Sequence, residues 1–241
     1  SRFRQRRYGA PAGDRPGEQF VIFAQNHDQV GNRPRGDRLR ATVDLDTLKL
    51  VAGLLLTAPY VPMLFMGEEY GETAPFPFFV HHSDGGLIDR IRRGRRGEFA
   101  AFGMTAEPLD PAAEDTFRRA RLNVEQANHG RGKELADWHR ELLRLRRELA
   151  ALASLDRQRT EVTCREGEQL LLVRRWAGRE AVQIVLHFGR EAATRRVPFG
   201  DGAWRKLLDS SAAGGPPSEV PGPREIDLPL APRSFLLYHA G

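Results

Sequence analysis

The chain has 241 residues, 40% hydrophobic and 29% charged, with 37 Lys and Arg against 32 Asp and Glu, a formal charge of +5. That apolar content excludes a disordered chain, and Gly and Pro without a period exclude a collagen-like or low-complexity one. Apolar runs such as 51–56 are too short to span a bilayer, and a lone Cys164 cannot form an internal disulfide, so a reducing, cytoplasmic setting is expected.

Residues 1–18 are polar, rich in Gly, Pro and Arg, and read as a loop. The start at Ser1, with no apolar signal segment, gives the expectation of a piece from a longer protein. Phe20–Ala24 is short, β-branched and aromatic, which predicts a strand buried on both faces, as in a parallel sheet. A helix follows, with Asp44 or Asp46 as N-cap and Leu45, Leu48, Val51, Leu54 and Leu55 on one face, ending near Thr57 before Pro59. Val61–Met66 predicts a second buried strand, with Pro62 at its start, running into Gly67-Glu68-Glu69. Strand, helix and strand in this order make a β-α-β unit, whose polar strand exits form the functional edge in α/β folds.

Residues 71–130 read as irregular, with the aromatic run Phe76-Pro77-Phe78-Phe79, a helix from Leu87 to about Phe102, and a Pro/Asp link at 108–111. An amphipathic helix is predicted from Lys133 to Leu152, with its stripe at Leu135, Trp138, Leu142, Leu145, Leu149 and Leu152. Beyond Leu155 the texture changes to short strands at 162–164, 170–173, 181–188, 195–198, 204–208, 226–228 and 235–238. Turn residues separate them at 177–178, 200–202 and 214–217, which predicts a small antiparallel β domain.

The chemistry concentrates in Gln25-Asn26-His27-Asp28-Gln29-Val30-Gly31-Asn32, at the exit of the first strand. Amides donate and accept, and a carboxylate accepts from two vicinal hydroxyls, so this residue set suits a sugar. Gly31 would let the backbone turn away. The plainer alternative, Asn and Asp merely ending a strand, stands beside it. No further His or Cys lies at ligand spacing, so a metal is not expected, and His81-His82 reads as a surface feature. Apart from Lys49, Lys133 and Lys206, the basic residues are arginines spread among acids, so no nucleic-acid footprint is expected.

The stretch Phe20–Gln29 resembles the last signature region of the α-amylase superfamily of glycoside hydrolases, and Pro62–Glu69 resembles the exit of that family's eighth barrel strand. The continuation Asp28–Leu39, the 76–79 and 92–99 stretches, and Asp110-Pro111 with Thr116-Phe117 are similar to the malto-oligosyltrehalose trehalohydrolases within it; His81 and Val124 depart from their pattern. The resemblance spans about residues 18–155. It implies α/β plus all-β architecture: the last two strands and helices of a (β/α)8 barrel over 1–155, then an antiparallel β-sandwich over 156–241. It implies a retaining hydrolase of the α-1,4 bond next to the terminal trehalose of maltooligosyl trehalose, needing no cofactor and no membrane.

On that resemblance Asp28 is the transition-state stabiliser, and His27, Gln29 and Asn32, with the Val30 and Gly31 backbone, contact sugar. The nucleophile and acid/base are expected in the upstream part of the same enzyme, since a retaining glycosidase needs two flanking carboxylates and residues 1–19 cannot hold their strands. The chain alone is then expected to be inactive. Glu68 and Glu69 have two readings, pocket rim or an ion pair with Arg33 or Arg38, and Asp37 and Arg38 read as support. The alternatives are a related enzyme such as a glucan branching enzyme, or a non-catalytic glucan-binding protein.

Overall fold

The computed structural model describes residues 5–6, 9–104, 106–211 and 216–241, so the turn expected at Gly214-Gly215 lies outside the described residues. The first unit comprises β1 (Val21–Ile22), α1 (His27–Gly31), α2 (Leu45–Thr57) and β2 (Val61–Pro62). β1 and β2 are parallel, held by the Val61 amide donating to Phe20 O at 3.0 Å and the Met63 amide to Ile22 O at 2.8 Å. The two strands are shorter and more open than the sequence predicts. Val21 is 57% exposed, and Phe23, Met63 and Met66 are exposed as well. The reason is the lack of neighbours: among the described residues, β1 and β2 pair only with each other.

α2 begins where predicted. Asp44 caps it by accepting from the Thr47 amide at 2.9 Å, and the chain turns extended at Ala58, ahead of Pro59. α3 (Gly85–Ala101) starts at the capping Asp84, and a short α4 (Glu114–Arg119) lies in the stretch read as irregular. The long amphipathic helix is interrupted: α5 (Gly130–Glu148) stops, Leu149 is extended, and α6 (Ala150–Ala153) resumes. The amide this exposes at Ala151 donates to Glu180 at 2.6 Å, so the break leaves that donor satisfied.

Eight strands follow: β3 (Thr160–Arg165), β4 (Leu170–Ala177), β5 (Glu180–His187), β6 (Ala193–Phe199), β7 (Ala203–Asp209), β8 (Glu219–Pro221), β9 (Arg224–Leu230) and β10 (Ser234–Ala240). All but β8 lie on segments predicted as strands. Six form an antiparallel sheet in the order β3-β4-β5-β10-β7-β8, and β6 pairs with β9 in a separate antiparallel ribbon. The last strand therefore runs through the middle of the sheet.

The large sheet is covered on both faces. Val182, Ile184 and Leu186 of β5 with Phe235 and Leu237 of β10 face Leu48, Ala52 and Leu56 of α2 and Leu135, Trp138, Leu142 and Leu145 of α5. The alternate residues Val185, Leu236 and Tyr238 pack with Val197, Phe199, Leu228 and Leu230 of the ribbon. The helical part and the sheet thus share one core, which the reading of two successive units does not anticipate. Burying each such side chain contributes about 1.5–3 kcal/mol.

Two arginines fasten the end of α2. Arg146 donates to Leu56 O, Ala58 O and Tyr60 O at 2.7, 2.9 and 2.6 Å. Arg175, 1% exposed, donates to Thr57 O at 2.5 Å and to Ser154 O. Their charges satisfy carbonyls that a helix end leaves without partners, and so fix the direction in which β2 leaves.

Candidate active site

Parallel pairing puts the exits of β1 and β2 at the same edge. After β1, Asn26 turns extended and its side chain accepts from the Gln29 amide at 2.9 Å, capping α1. The first turn of α1 then presents His27, Asp28 and Gln29 outward. The Asp28 side chain is 74% exposed, and the imidazole of His27 lies beside it, with Nε2 at 3.4 Å from Oδ1. Val30 and Gly31 are buried beneath them. The Val30 amide donates to Asn26 O at 3.0 Å, and Gly31 O accepts from Arg95 at 2.8 Å.

Arg95 is the clasp that holds this turn. It comes from α3, donates to Asn32 Oδ1 at 2.8 Å and to Glu98 at 3.0 Å, and stacks on Phe78 and Phe99 at 4.8 and 4.6 Å. A planar, multi-donor cation of this kind fixes orientation better than a point charge. Nothing local marks Arg95 among the arginines of its helix; only its place opposite the turn distinguishes it.

The β2 exit forms the second wall. Glu68 is 7% exposed, accepts from the Phe65 amide at 3.1 Å, and is hydrogen-bonded by Gln25. Gln25 in turn accepts from the Leu39 amide at 3.0 Å, so one amide side chain joins both exits to residues 39–41. Arg38 donates to Ala74 O at 2.6 Å and Met66 O at 2.7 Å and lies over Phe65. Glu72, 1% exposed, gathers the Ala74 amide, the Asn123 amide and the Tyr70 hydroxyl at 2.8, 2.7 and 3.0 Å. Burial works against its charge, but these donors prevail and hold it below the ordinary carboxylate range.

Burial has the opposite outcome at Glu68, whose carboxyl is pushed from 4.5 up to about 7 against the Phe65 and Gln25 donors. The folded chain therefore holds this proton more tightly than the unfolded chain, and stability falls as pH rises from about 4.5 to about 7. Glu68→Gln is expected to remove that slope and to raise stability at pH 8 by on the order of 2–3 kcal/mol. Urea unfolding at pH 5.5 and 8 measures it; an unchanged slope in the variant would assign the titration to another group.

Two local expectations are corrected. Gly31 lies inside α1 without a positive φ; the turn glycine is Gly36, at φ +69°, where a Cβ would overlap the backbone of Pro77. The ion pair between Glu68 or Glu69 and Arg33 or Arg38 does not form. Arg33 pairs with Asp37 at 3.7 Å, and Arg38 is committed to backbone carbonyls. Among the described residues no three His, Cys, Asp or Glu side chains gather at one point to hold a metal, and no helix is long and apolar enough to cross a membrane.

The chain is 39% identical over 148 residues to the malto-oligosyltrehalose trehalohydrolase of Saccharolobus solfataricus, covering 61% of the chain and 24% of the relative. It is 37% identical over 198 residues to that of Deinococcus radiodurans, covering 79% of the chain and 32% of the relative. Seven curated relatives, at 36–42% identity and over 61–79% of this chain, all carry that name. The chain spans between about a quarter and a third of the length of these curated relatives.

A crystal structure of a putative α-amylase from Salmonella typhimurium superposes with a TM-score of 0.74 at 32% identity, over 94% of this chain and 36% of that one. An α-amylase from H. orenii, at 17% identity and a TM-score of 0.57, shares the fold. Residues 157–237 match a family described as a domain of unknown function (DUF3459). The neighbours are α-amylase-family proteins, and the antiparallel sheets form the C-terminal part of the fold.

Proposed function

We propose that this chain is the C-terminal portion of a retaining glycoside hydrolase that cleaves the α-1,4 bond next to the terminal trehalose of maltooligosyl trehalose. In this reading β1, α2 and β2 are the last strands and helix of a (β/α)8 barrel. Residues 156–241 are the β-sandwich behind it, and the nucleophile and acid/base come from the upstream part of the same cytoplasmic enzyme. The exposed apolar side chains of Val21, Phe23, Met63 and Met66 support it, since the neighbouring barrel strands would cover them.

The observation that carries the reading is Asp28. Its carboxylate stands at the exit edge of a parallel strand pair on a clasped turn, with no side-chain donor other than His27 nearby among the described residues. Two oxygens remain for vicinal hydroxyls of the glucose ring next to the scissile bond. As that ring flattens and gains positive charge, its hydroxyls become better donors and the negative carboxylate is drawn closer in energy, so binding tightens in the transition state. His27, Gln29 and Asn32 supply further hydrogen bonds, and the internally bonded Val30 and Gly31 backbone keeps them level. No cofactor enters this chemistry.

The test is product analysis. The full-length enzyme is expected to convert maltotriosyl trehalose to trehalose and maltotriose, and residues 1–241 alone to release neither. Branched products, or hydrolysis by residues 1–241 alone, would overturn the assignment of substrate or of the missing carboxylates.

A further inference from the structure

A second polar site lies in the sheet, on a different element from Asp28. Register sets Glu161 of β3 opposite Arg174 of β4, and Arg174 opposite Gln183 of β5. The three side chains line a cavity of about 260 Å³ with Thr163, and Leu172, Pro198 and Phe199 form its apolar wall. Arg174 is held but unspent. Its guanidinium lies 5.8 Å over Trp204 and flat against Gly200, where a Cβ would overlap it. Trp204 locks that arrangement by donating to Gly200 O at 2.9 Å.

Yet the Arg174 guanidinium makes no hydrogen bond or ion pair among the described residues, and its Nε is buried without a partner. The carboxylate of Glu161, directly across the strand pair, likewise has no ion pair or hydrogen bond among the described residues. Gln183 is 3% exposed, and its amide nitrogen has only a long 3.4 Å contact with Ile184 O. A buried donor left unmade is costly, so a fixed guanidinium and amide facing one small cavity are an arrangement that a ligand completes.

We propose that this cavity binds one unit of a neutral polyhydroxyl ligand, a glucose residue of an α-glucan. Its lining carries one positive and one negative group, so the net charge selects neither an anion nor a cation. Vicinal hydroxyls can accept from Arg174 and Gln183 while donating to Glu161, and Leu172, Pro198 and Phe199 meet the C–H face of a pyranose. The size lies near the small end of ligand sites, which suits one ring rather than a chain.

The experiment is hydrogen exchange by mass spectrometry on the full-length protein, with maltose as probe and inorganic phosphate and glycine as contrasts. Maltose is expected to slow exchange in residues 160–165 and 195–202. Arg174→Met and Glu161→Gln should each weaken that protection by about tenfold or more in maltose concentration, with hydrolysis of a short substrate unchanged. Circular dichroism of both variants checks the fold, and Thr163→Val, at an exposed position, provides a third variant that does not touch the stacked arginine. Protection confined to residues 25–40, protection by phosphate or glycine in place of maltose, or full protection in both charge variants would overturn the proposal. Protection at 160–165 without any at 25–40 would count against the reading of Asp28 and leave this one standing.

Discussion

Asp28→Asn in the full-length enzyme is expected to lower kcat by about 10²- to 10³-fold, the loss seen when one preorganised electrostatic contact to a transition state is removed. KM should change far less, because the contact matters most when the ring carries charge. The fold should survive, with unfolding free energy within about 0.5 kcal/mol of the parent, since the side chain is 74% exposed and its one ionisable contact among the described residues is His27. Steady-state kinetics on maltotriosyl trehalose, with a urea unfolding curve beside it, make the check. Near-parental turnover would remove Asp28 from the mechanism, and a large loss of stability would turn it into a structural residue.

Phe235→Ala is expected to cost about 3–5 kcal/mol of stability, the range for deleting a buried aromatic ring. Phe235 is fully buried, meets Trp138 edge-on at 5.9 Å, and covers Gly53 in the middle of α2. It therefore joins β10, α5 and α2 at one point. Gly53→Ala is the converse probe. Alanine favours a helix over glycine by about 0.5–1 kcal/mol, yet here its Cβ would overlap the Phe235 ring, and overpacking of this kind costs about 1–3 kcal/mol. Combined with Phe235→Leu, the Gly53→Ala penalty should shrink, a coupling that a double-mutant cycle in urea reads directly. Simple additivity would mean that the two residues do not share a cavity.

The readable parts of the fold are those where the signal is local. Asp44 before an apolar stripe marks the start of α2, and short apolar runs set off by turn residues mark seven of the strands, because capping and turn chemistry are written within a few residues. β8 escaped because Glu219-Val220-Pro221 carries a single buried side chain. The break at Leu149 depends on Glu180 from a strand some thirty residues away, and the glycine in α2 on a ring from β10, so neither has a local mark.

The same contrast runs through the site. The Asn26–Gln29 turn is legible because side-chain amides, imidazole and carboxylate fall together. The groups that fasten the site, Arg95 at the end of α1 and Glu72 and Arg38 at the β2 exit, act through distant backbone carbonyls and amides and look like ordinary surface charges in the sequence. Residue type identifies what can touch a sugar; only the folded chain identifies what aims it.

The position of β10 has a consequence for synthesis. Its seven residues fill the gap between β5 and β7 and cover the surface that α2 and α5 offer to the sheet. On the ribosome, roughly 50 residues separate the end of β5 from β10, so at about 5–20 residues per second the nascent chain carries an unpaired central edge and an open helix layer for several seconds. Such an edge invites pairing with a neighbouring chain. A message truncated before Ser234 would yield more than a shortened protein: both faces of its sheet would lack their central strand, and the product would be a substrate for chaperones and proteases.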